Sequence, residues 1–357
     1  MPLKLNNLLK IMLDRGASDL HIHAYAIPQI RINSQLVALD YPEFTPEQSK
    51  DIVYPYLAED EIKDFEKDKE LDTSFSDAEL SARFRMNVFY HKGGVCAAIR
   101  AIPKKIPDFS ELGLPEQQMV QICRSKRGLV LMTGATGSGK STTLASIINR
   151  INAERNCHII TVEDPVEFIY TNNKSIITQR EIGKDTNSFS GALKYILRQD
   201  PDVILIGEMR DLETVQAAMN MAETGHLVFA TLHTSDCVQT INRIIDMFPY
   251  QSQSQARTQL SYVLLSTISQ QLLAKSDNSG LCLASELMIA TFGVRAMIRE
   301  EKVHQIFSLI QTGLKEGMYT MNHSLYELYK KGLITYQEAS AHITDTQDFK
   351  RFFQGPR

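Results

Sequence analysis

Apolar residues in the middle of the chain form short runs that alternate with helical patterns. The runs occupy residues 128–133, 158–162, 203–206 and 227–232. Each run is too short to span a membrane and has few polar positions, so it predicts a strand that is covered on both faces. Residues 190–198 and 212–223 lie between runs and have the periodicity of helices. Because strands that alternate with helices usually pair in parallel, the pattern predicts an α/β domain from about residue 116.

The first hundred residues follow a different pattern, in which polar and apolar residues alternate over short stretches. Strands are predicted at residues 19–23, over 29–39 around a turn at Asn33-Ser34, at 83–90 and at 95–102. Thr45, Pro46 and Gln48 have the spacing of a helix N-terminus: a capping side chain, a proline at the first helical position and a glutamine three residues after the cap. These elements predict a small α+β domain over residues 1–102.

Two further boundaries follow from the distribution of prolines and polar residues. Pro103 and Pro107 flank a short basic stretch, which predicts a linker over residues 103–115 with a hinge near the prolines. Beyond about Thr291 the chain has only helical and polar patterns, which predict a C-terminal helical region over residues 291–357. The α/β domain is therefore expected to cover residues 116–290.

Composition and charge narrow the class of protein. The 357 residues are 43% hydrophobic and 22% charged, which is typical of a folded globular chain. Lysine and arginine number 38 against 42 acidic residues, and the net charge of -4 argues against a dedicated nucleic-acid binder. The five cysteines are scattered and form no C-x-x-C pair, which disfavours a disulfide framework and a structural zinc site. Without a signal-peptide pattern or an apolar run of membrane length, we expect a cytoplasmic protein.

The most specific chemical signal is the stretch from Gly134 to Ser141, which fits G-x-x-x-x-G-K-[ST] between a predicted strand and a predicted helix. In this motif the backbone N–H groups wrap the phosphates at a helix N-terminus, the lysine reaches the β- and γ-phosphates, and the hydroxyl faces Mg²⁺. The sequence therefore predicts a nucleotide site for ATP and Mg²⁺ formed by Thr136, Gly137, Ser138, Gly139, Lys140, Ser141 and Thr142.

Acidic residues follow two of the predicted central strands. Glu163 comes at the end of the run 158–162, and Glu208 follows the run 203–206. Ligands of parallel sheets bind beyond the carboxyl ends of the strands, so both acids are expected to converge on the phosphate loop. We predict that Glu163 polarises the attacking water and that Glu208 reaches Mg²⁺ through water, together with Ser141. Each acid taken alone could equally cap the helix that follows its strand.

Two histidines bracket the last predicted central strand. His226 precedes residues 227–232 and His233 follows them, so on a straight strand they lie about 23 Å apart and cannot share a metal ion. His233 is at the carboxyl end, where we expect it to approach the γ-phosphate. His226 is expected to order the start of the strand or to lie at an interface.

Three arginines of the first domain are candidates for contact with the phosphates. Arg83 and Arg85 share one face of a predicted strand because side chains alternate along it, and Arg100 lies on the next strand. The simplest interpretation is a solvated basic face, and the alternative is a set of arginine fingers from the same or a neighbouring subunit.

Longer stretches of the chain are similar to the motifs of secretion-type ATPases, and most closely to those of the PilT-type retraction motors of type IV pili. The matching stretches are RGASDLH at residues 15–21, GATGSGKST at 134–142, TVEDPVE at 161–167, DPDVILIGEMRD at 200–211 and AETGHLVFATLHT at 222–234. In this order they resemble the family's opening, Walker A motif, Asp box, Walker B motif and His box.

The resemblance implies a RecA-like P-loop ATPase core with an N-terminal PAS-like α+β domain and a C-terminal helical region, assembled as a homo-hexamer. It implies that ATP hydrolysis drives pilus disassembly through a platform protein, with the ring docked peripherally at the inner-membrane base of the pilus. It also implies that Arg83, Arg85 and Arg100 meet the phosphates when a subunit closes.

Two departures from the family pattern leave an alternative open. Ala135 stands where retraction motors usually have proline and where the accessory PilU-type paralogues often have alanine. Residues 293–300 read GVRAMIRE, where the retraction element of the family is AIRxLIRE. The alternative is an accessory retraction ATPase that acts with a paralogous motor.

A nucleic-acid translocase is a third candidate function. It is disfavoured because the chain has no evident basic stretch interleaved with aromatic residues.

Overall fold

The computed structural model describes residues 4–32, 35–102 and 105–353. These residues divide into two compact units, one up to residue 105 with Glu167–Ile169 and the other over residues 106–166 and from 170 onward. The predicted turn at Asn33-Ser34 and the first two residues of the predicted linker, Pro103 and Lys104, lie outside the described residues. Within the described ranges, no helix has both the length and the apolar character needed to cross a bilayer.

The smaller unit contains a six-stranded antiparallel sheet in the order β3-β2-β1-β6-β5-β4. Its elements are α1 Leu5–Asp14, β1 Asp19–Ile22, β2 Gln29–Ile32, β3 Gln35–Ala38, α2 Pro46–Val53, α3 Glu59–Asp68, β4 Glu70–Asp77, β5 Ala82–His91 and β6 Gly94–Ile102. The strands predicted in this region are confirmed within one or two residues, and α1 and β4 were not predicted.

Helix α2 begins as its sequence predicts. The Thr45 hydroxyl accepts a hydrogen bond of 3.2 Å from the backbone N–H of Gln48, and the Gln48 side chain accepts one of 2.9 Å from the N–H of Thr45. Pro46 occupies the first helical position, where no N–H is needed. The capping box is therefore confirmed.

The larger unit contains a seven-stranded sheet covered by helices. Its strands are β7 Gly128–Thr133, β8 His158–Glu163, β9 Ile176–Glu181, β10 Val203–Ile206, β11 Leu227–Leu232, β12 Leu264–Ala274 and β13 Leu281–Ile289. Its helices are α4 Phe109–Leu112, α5 Glu116–Arg124, α6 Lys140–Glu154, α7 Phe189–Ile196, α8 Leu212–Glu223, α9 Cys237–Asp246, α10 Gln253–Val263, α11 Phe292–Arg299, α12 Ile306–Thr312, α13 Met321–Lys330, α14 Tyr336–Ala341 and α15 Thr346–Arg351.

The sheet order is β13-β12-β7-β11-β10-β8-β9, in which β13 alone is antiparallel to its neighbour among the described strands. The four apolar runs are its central strands β7, β8, β10 and β11, as predicted. Both faces of these strands are covered: Leu129 and Leu131 of β7 pack in one apolar cluster with α7–α11, whereas Val130 and Met132 pack in another with α5 and α6. The fold is therefore a mixed α/β fold.

The strand register brings the ends of separate segments to one edge of the sheet. Thr133, the last residue of β7, lies opposite Leu232 of β11 and Ser269 of β12. Ile206, the last residue of β10, lies opposite Ala230 of β11 and Val162 of β8. Because these strands run in parallel, the segments that follow β7, β8, β10 and β11 all leave the sheet at the same edge.

A buried carboxyl group holds one of these segments in place. Glu286 on β13 is 2% exposed, and its carboxyl oxygens accept hydrogen bonds from the backbone N–H groups of Cys237 at 2.9 Å and Met321 at 3.4 Å. Cys237 begins α9 and Met321 begins α13, so one side chain caps two helices. The loop between β11 and α9 is thereby tied to the C-terminal helices.

Burial raises the pKa of Glu286 above its ordinary value, against the opposing effect of its hydrogen bonds with Cys237. A carboxyl group whose pKa is raised in the folded state contributes fully to stability below the pKa of the unfolded chain. This contribution is lost as the pH rises through the pKa of the folded state. Glu286→Gln removes this ionisation. We therefore expect the melting temperature of the variant, measured relative to the parent protein, to increase as the pH is raised from about 4.5 to 7.5. The exposed Glu316→Gln variant serves as the control, and a difference that stays constant or falls with pH would contradict the assignment.

Candidate nucleotide-binding site

The loop that joins β7 to α6 has the geometry of a phosphate-binding loop. Gly134 has a φ of 137°, and a Cβ at this position would lie 2.4 Å from the carbonyl oxygen of Gln270 and 2.6 Å from Ser138 Oγ. Only glycine fits there, because the loop passes so close to β12. Gly139 precedes the first turn of α6 with a φ of 90°, so the loop ends at a helix N-terminus, where backbone N–H groups attract anions.

Lys140 is the first residue of α6 and is 9% exposed. Its Nζ donates hydrogen bonds to the carbonyl oxygens of Gly134 at 2.8 Å and Ala135 at 2.9 Å. The ammonium group therefore lies inside the curve of the loop, where the motif requires it. Ser141 and Thr142 follow in the first turn of the helix, and Thr136, Gly137 and Ser138 form the loop itself.

Buried oxygens without a partner surround this loop. Thr133 Oγ1, Ser138 Oγ and Gln270 Oε1 are inaccessible to solvent and make no hydrogen bond within the part of the chain that the structure describes. A buried polar atom without a partner is costly, and such atoms often mark a ligand position. Together with the lysine and the helix N-terminus, the hydroxyls of Thr133 and Ser138 suit a polyphosphate, because they can donate hydrogen bonds to phosphate oxygens, whereas the Gln270 amide oxygen can only accept.

The two predicted acids follow adjacent strands, β8 and β10. Glu163 is the last residue of β8, and the Thr161 hydroxyl donates a hydrogen bond of 2.7 Å to its Oε1. Gly207 follows β10 and lies against the end of β8, since a Cβ on it would be 3.2 Å from the Cα of Glu163. Glu208 comes next, so the structure brings the backbones of the two acids side by side at the edge from which the phosphate loop departs.

Glu208 forms an ion pair with Arg210 and a second polar contact with His233. Its Oε2 lies 2.8 Å from Nη2 of Arg210, and its Oε1 lies 3.2 Å from Nε2 of His233. Partial burial acts to raise the pKa of Glu208, but Arg210 and His233 outweigh this effect and hold the pKa below its ordinary value. The carboxylate is therefore ionised at neutral pH. The contact with His233 joins the segments after β10 and β11, a link that was not predicted.

The two histidines differ in their surroundings. His233 lines a cavity of about 360 Å³ together with residues 134–138 of the phosphate loop. The Nδ1 atom of His226 lies 3.0 Å from the carbonyl oxygen of Met221 at the end of α8, and its own carbonyl accepts a hydrogen bond from the N–H of Gly128. His226 is thus placed where it can order the start of β11.

The three arginines lie on β5 and β6 of the smaller unit, where Arg85 and Arg100 are directly opposite each other. Each has a local partner. Arg83 Nη2 donates to Ser74 Oγ at 2.7 Å, Arg85 makes a two-point contact with Asp72, and Arg100 Nε donates to Asp19 Oδ1 at 2.8 Å. Asp19 is 8% exposed, so Arg100 is held by a buried carboxylate, whereas Asp72 is half exposed. Carboxylate partners fix the orientation of an arginine side chain.

Part of the cavity wall was missed by the sequence patterns. Gln270, Gln271 and Leu272 of β12 and His342, which follows α14, line the cavity opposite His233. No motif contains these residues. The polar residues within β12 could have indicated a strand only through the alternation of polar and apolar positions. His342 belongs to no motif that would mark it as a site residue.

Comparisons with known proteins identify relatives along most of the chain. The model of the family described as Type II/IV secretion system protein matches residues 2–329. The chain is 44% identical to the type IV pilus retraction ATPase PilT of Pseudomonas aeruginosa, over 97% of this chain and 99% of that protein. It is 39% identical to the type IV pilus ATPase PilU of the same organism, over 98% of this chain and 91% of that protein.

Among solved structures, the chain is similar to a crystal structure of the pilus retraction motor PilT with bound ADP. The two share 47% sequence identity and superpose with a TM-score of 0.90, over 98% of this chain and 99% of the other. The similarity therefore extends over both units and is not confined to the phosphate-loop region.

Proposed function

This chain belongs to the type II/IV secretion system protein family, and we propose that it is an ATPase motor that drives type IV pilus retraction. The observation that carries the proposal is the similarity to a pilus retraction ATPase along almost the entire chain, at 44% identity. The phosphate loop, two acids and a histidine at one edge of the larger unit's sheet support ATP hydrolysis as its chemistry.

We propose a finer division of the fold on the same basis. The larger unit would be a RecA-like ATPase domain over residues 116–290 with a helical appendage over 291–357, and the smaller unit would be a PAS-like domain over residues 1–102. The parallel central strands and the helix that follows the phosphate loop support the first assignment, and the antiparallel sheet with helices supports the second.

The phosphates would be bound by the backbone of residues 136–139, by Lys140 and by the first turn of α6. Ser141 and Glu208 would supply the oxygen donors that Mg²⁺ prefers. Because Arg210 and His233 already contact both carboxylate oxygens of Glu208, we propose that Glu208 reaches Mg²⁺ through water. When bound, Mg²⁺ neutralises charge on the phosphates. The buried oxygens of Thr133 and Ser138 support a polar ligand at this position.

Glu163 would accept a proton from the attacking water. The Thr161 hydroxyl donates to one of its oxygens and so restricts the direction in which the carboxylate points. His233 would sense the γ-phosphate. Because its imidazole contacts the Glu208 carboxylate, the presence or loss of the γ-phosphate beside one side chain would alter the electrostatic environment of the other. Arg83, Arg85 and Arg100 would add positive charge to the phosphates in the closed state of a subunit.

We propose a homo-hexamer that docks from the cytoplasm onto a pilus platform protein in the inner membrane. A paralogous retraction ATPase is a further proposed partner, and no nucleic acid is expected. The membership of a secretion-system ATPase family and the similarity to pilus retraction ATPases support this assembly.

The alternative is an accessory ATPase. The similarity to PilU, at 39% identity, supports this alternative less than the similarity to PilT, at 44% identity, supports a primary motor.

Complementation in the host of the gene distinguishes a primary motor from an accessory ATPase, after deletion of this gene alone or together with its paralogue. We expect this chain to restore twitching motility in both strains and Lys140→Ala to restore it in neither. Restoration only in the presence of the paralogue would favour the accessory function, and no restoration in either strain would contradict a role in retraction.

A further inference from the structure

The segment that carries Glu208 leaves the sheet just before this residue. Strand β10 ends at Ile206, and neither Gly207 nor Glu208 belongs to a strand. The direction in which the Glu208 side chain leaves the backbone is set by the two peptide groups on either side of its Cα atom. One of these groups is shared with Gly207 and the other with Met209.

Thr231 of β11 contacts both of these peptide groups. Its hydroxyl donates a hydrogen bond to the carbonyl oxygen of Gly207. Its own carbonyl oxygen accepts a hydrogen bond of 3.0 Å from the backbone N–H of Met209. Thr231 is 6% exposed, so water cannot readily take the place of its hydroxyl. A single buried residue therefore holds the backbone immediately before and immediately after Glu208.

The carboxylate of Glu208 is held from the end of the same strand. His233 follows Thr231 by two positions, and its Nε2 lies 3.2 Å from Glu208 Oε1. Side chains two positions apart in an extended chain point to the same side, which accounts for both contacts with the segment after β10. The end of β11 thus contacts the backbone around Glu208 through Thr231 and the carboxylate through His233.

Gly207 is also fixed to β8, on its other side. Its N–H donates a hydrogen bond of 2.8 Å to the carbonyl oxygen of Val162. A Cβ on Gly207 would lie 3.2 Å from both this oxygen and the Cα of Glu163. The peptide that the Thr231 hydroxyl holds is therefore packed against the residue that carries the other acid. A shift of Gly207 would move Glu208 relative to Glu163.

We propose that Thr231 is a positioning residue for the metal site, which holds Glu208 in the direction from which its carboxylate reaches Mg²⁺. This inference rests on the proposed ATPase function, in which Glu208 contributes to Mg²⁺ binding. Thr231 acts through the peptide groups of Gly207 and Met209, so its effect depends on the hydroxyl as a hydrogen-bond donor. Residues that orient the ligands of a metal ion typically contribute about 10- to 100-fold to metal affinity or activity.

The test measures how strongly Mg²⁺ increases the affinity for the non-hydrolysable ATP analogue AMP-PNP. The analogue is titrated into the full chain by calorimetry, once with Mg²⁺ and once with EDTA. Thr231→Val keeps a branched side chain of similar size and removes the hydroxyl. We expect this variant to bind AMP-PNP about 10-fold more weakly with Mg²⁺, because Glu208 reaches the ion through water, and to bind it unchanged in EDTA.

Thr267→Val is the matched control. Thr267 is a fully buried threonine of β12 in the same sheet, and its hydroxyl makes no hydrogen bond within the described ranges of the chain. This variant should change neither affinity. If Thr231→Val does not fold, Thr231→Ser and Thr231→Cys test the hydroxyl, since they differ from each other by one atom. Serine should keep the effect of Mg²⁺, and cysteine should lose part of it because a thiol is a weak donor.

The possible results separate positioning from a purely structural role. A lower melting temperature with an unchanged effect of Mg²⁺ would mean that the hydroxyl only stabilises the fold. Equal weakening with Mg²⁺ and with EDTA would place the effect at the phosphate loop. Both results overturn the positioning role and leave the ATPase proposal standing. If the parent protein bound AMP-PNP equally well without Mg²⁺, the metal site and the positioning role would both be wrong, and a parent that does not bind it would overturn the ATPase proposal.

Discussion

Replacing Glu163 with glutamine is expected to lower kcat for ATP hydrolysis by about 10²–10⁴-fold, while the affinity for ATP changes little. Glutamine has the same shape and can still accept the hydrogen bond that the Thr161 hydroxyl donates at 2.7 Å. It cannot take a proton from the attacking water. Steady-state phosphate release gives kcat, and titration with a fluorescent ATP analogue gives the affinity.

Glu213 offers a matched control, because it is an exposed glutamate in the first turn of α8 in the same unit. Glu213→Gln should leave both kcat and affinity unchanged. If Glu163→Gln retained the parent kcat, the carboxylate would have no part in proton transfer. If it lost nucleotide affinity in step with kcat, Glu163 would be a residue that shapes the site.

The central part of the fold could be predicted because its signals are local. Residues 128–133, 203–206 and 227–232 are strands with the predicted limits, since an apolar run bounded by polar residues is buried on both faces wherever it folds. The convergence of the phosphate loop, Glu163 and Glu208 on one edge followed from a general property of parallel sheets.

The strands β12 and β13 could not be predicted in the same way. β12 buries Ser266, Thr267, Ser269 and Gln270, and β13 buries Ser285 and Glu286. Four of these side chains, those of Ser269, Gln270, Ser285 and Glu286, make hydrogen bonds to groups elsewhere in the unit, as Gln270 does by donating to Thr143 Oγ1 at 2.8 Å. Polar residues that are buried because of distant partners interrupt the apolar stretches of both strands, so neither strand has the continuous apolar pattern of β7 or β11.

The surroundings of the candidate site residues were also hidden from the sequence. Arg100 and its partner Asp19 are 81 positions apart, and His342 lies more than two hundred residues after the phosphate loop. Alternation along a strand places Arg83 and Arg85 on one face, but it cannot show that carboxylates hold Arg85 and Arg100. Motifs thus identified candidate residues for phosphate and metal binding, and the structure adds the residues that contact them.

The second large effect is expected at Lys140, whose ammonium group lies within the phosphate loop. Lys140→Met keeps an unbranched side chain of similar length and removes the charge, together with the hydrogen bonds to the carbonyl oxygens of Gly134 and Ala135. The charge stabilises the phosphates most strongly as negative charge develops during cleavage, so we expect kcat to fall by about 10²–10³-fold. The affinity for ATP should also fall, in contrast to the result at Glu163, because the same charge holds the bound phosphates.

The exposed Lys194→Ala variant on α7 controls for the general loss of a positive charge and should behave as the parent protein does. A melting temperature close to that of the parent would show that Lys140→Met folds. Binding of inorganic tripolyphosphate, titrated with Mg²⁺ by calorimetry, isolates the contacts to the phosphates: Lys140→Met should weaken tripolyphosphate binding as much as ADP binding. Retention of tripolyphosphate binding in Lys140→Met would mean that the loop holds the phosphates through its backbone, and the ammonium group would then have no role in binding them.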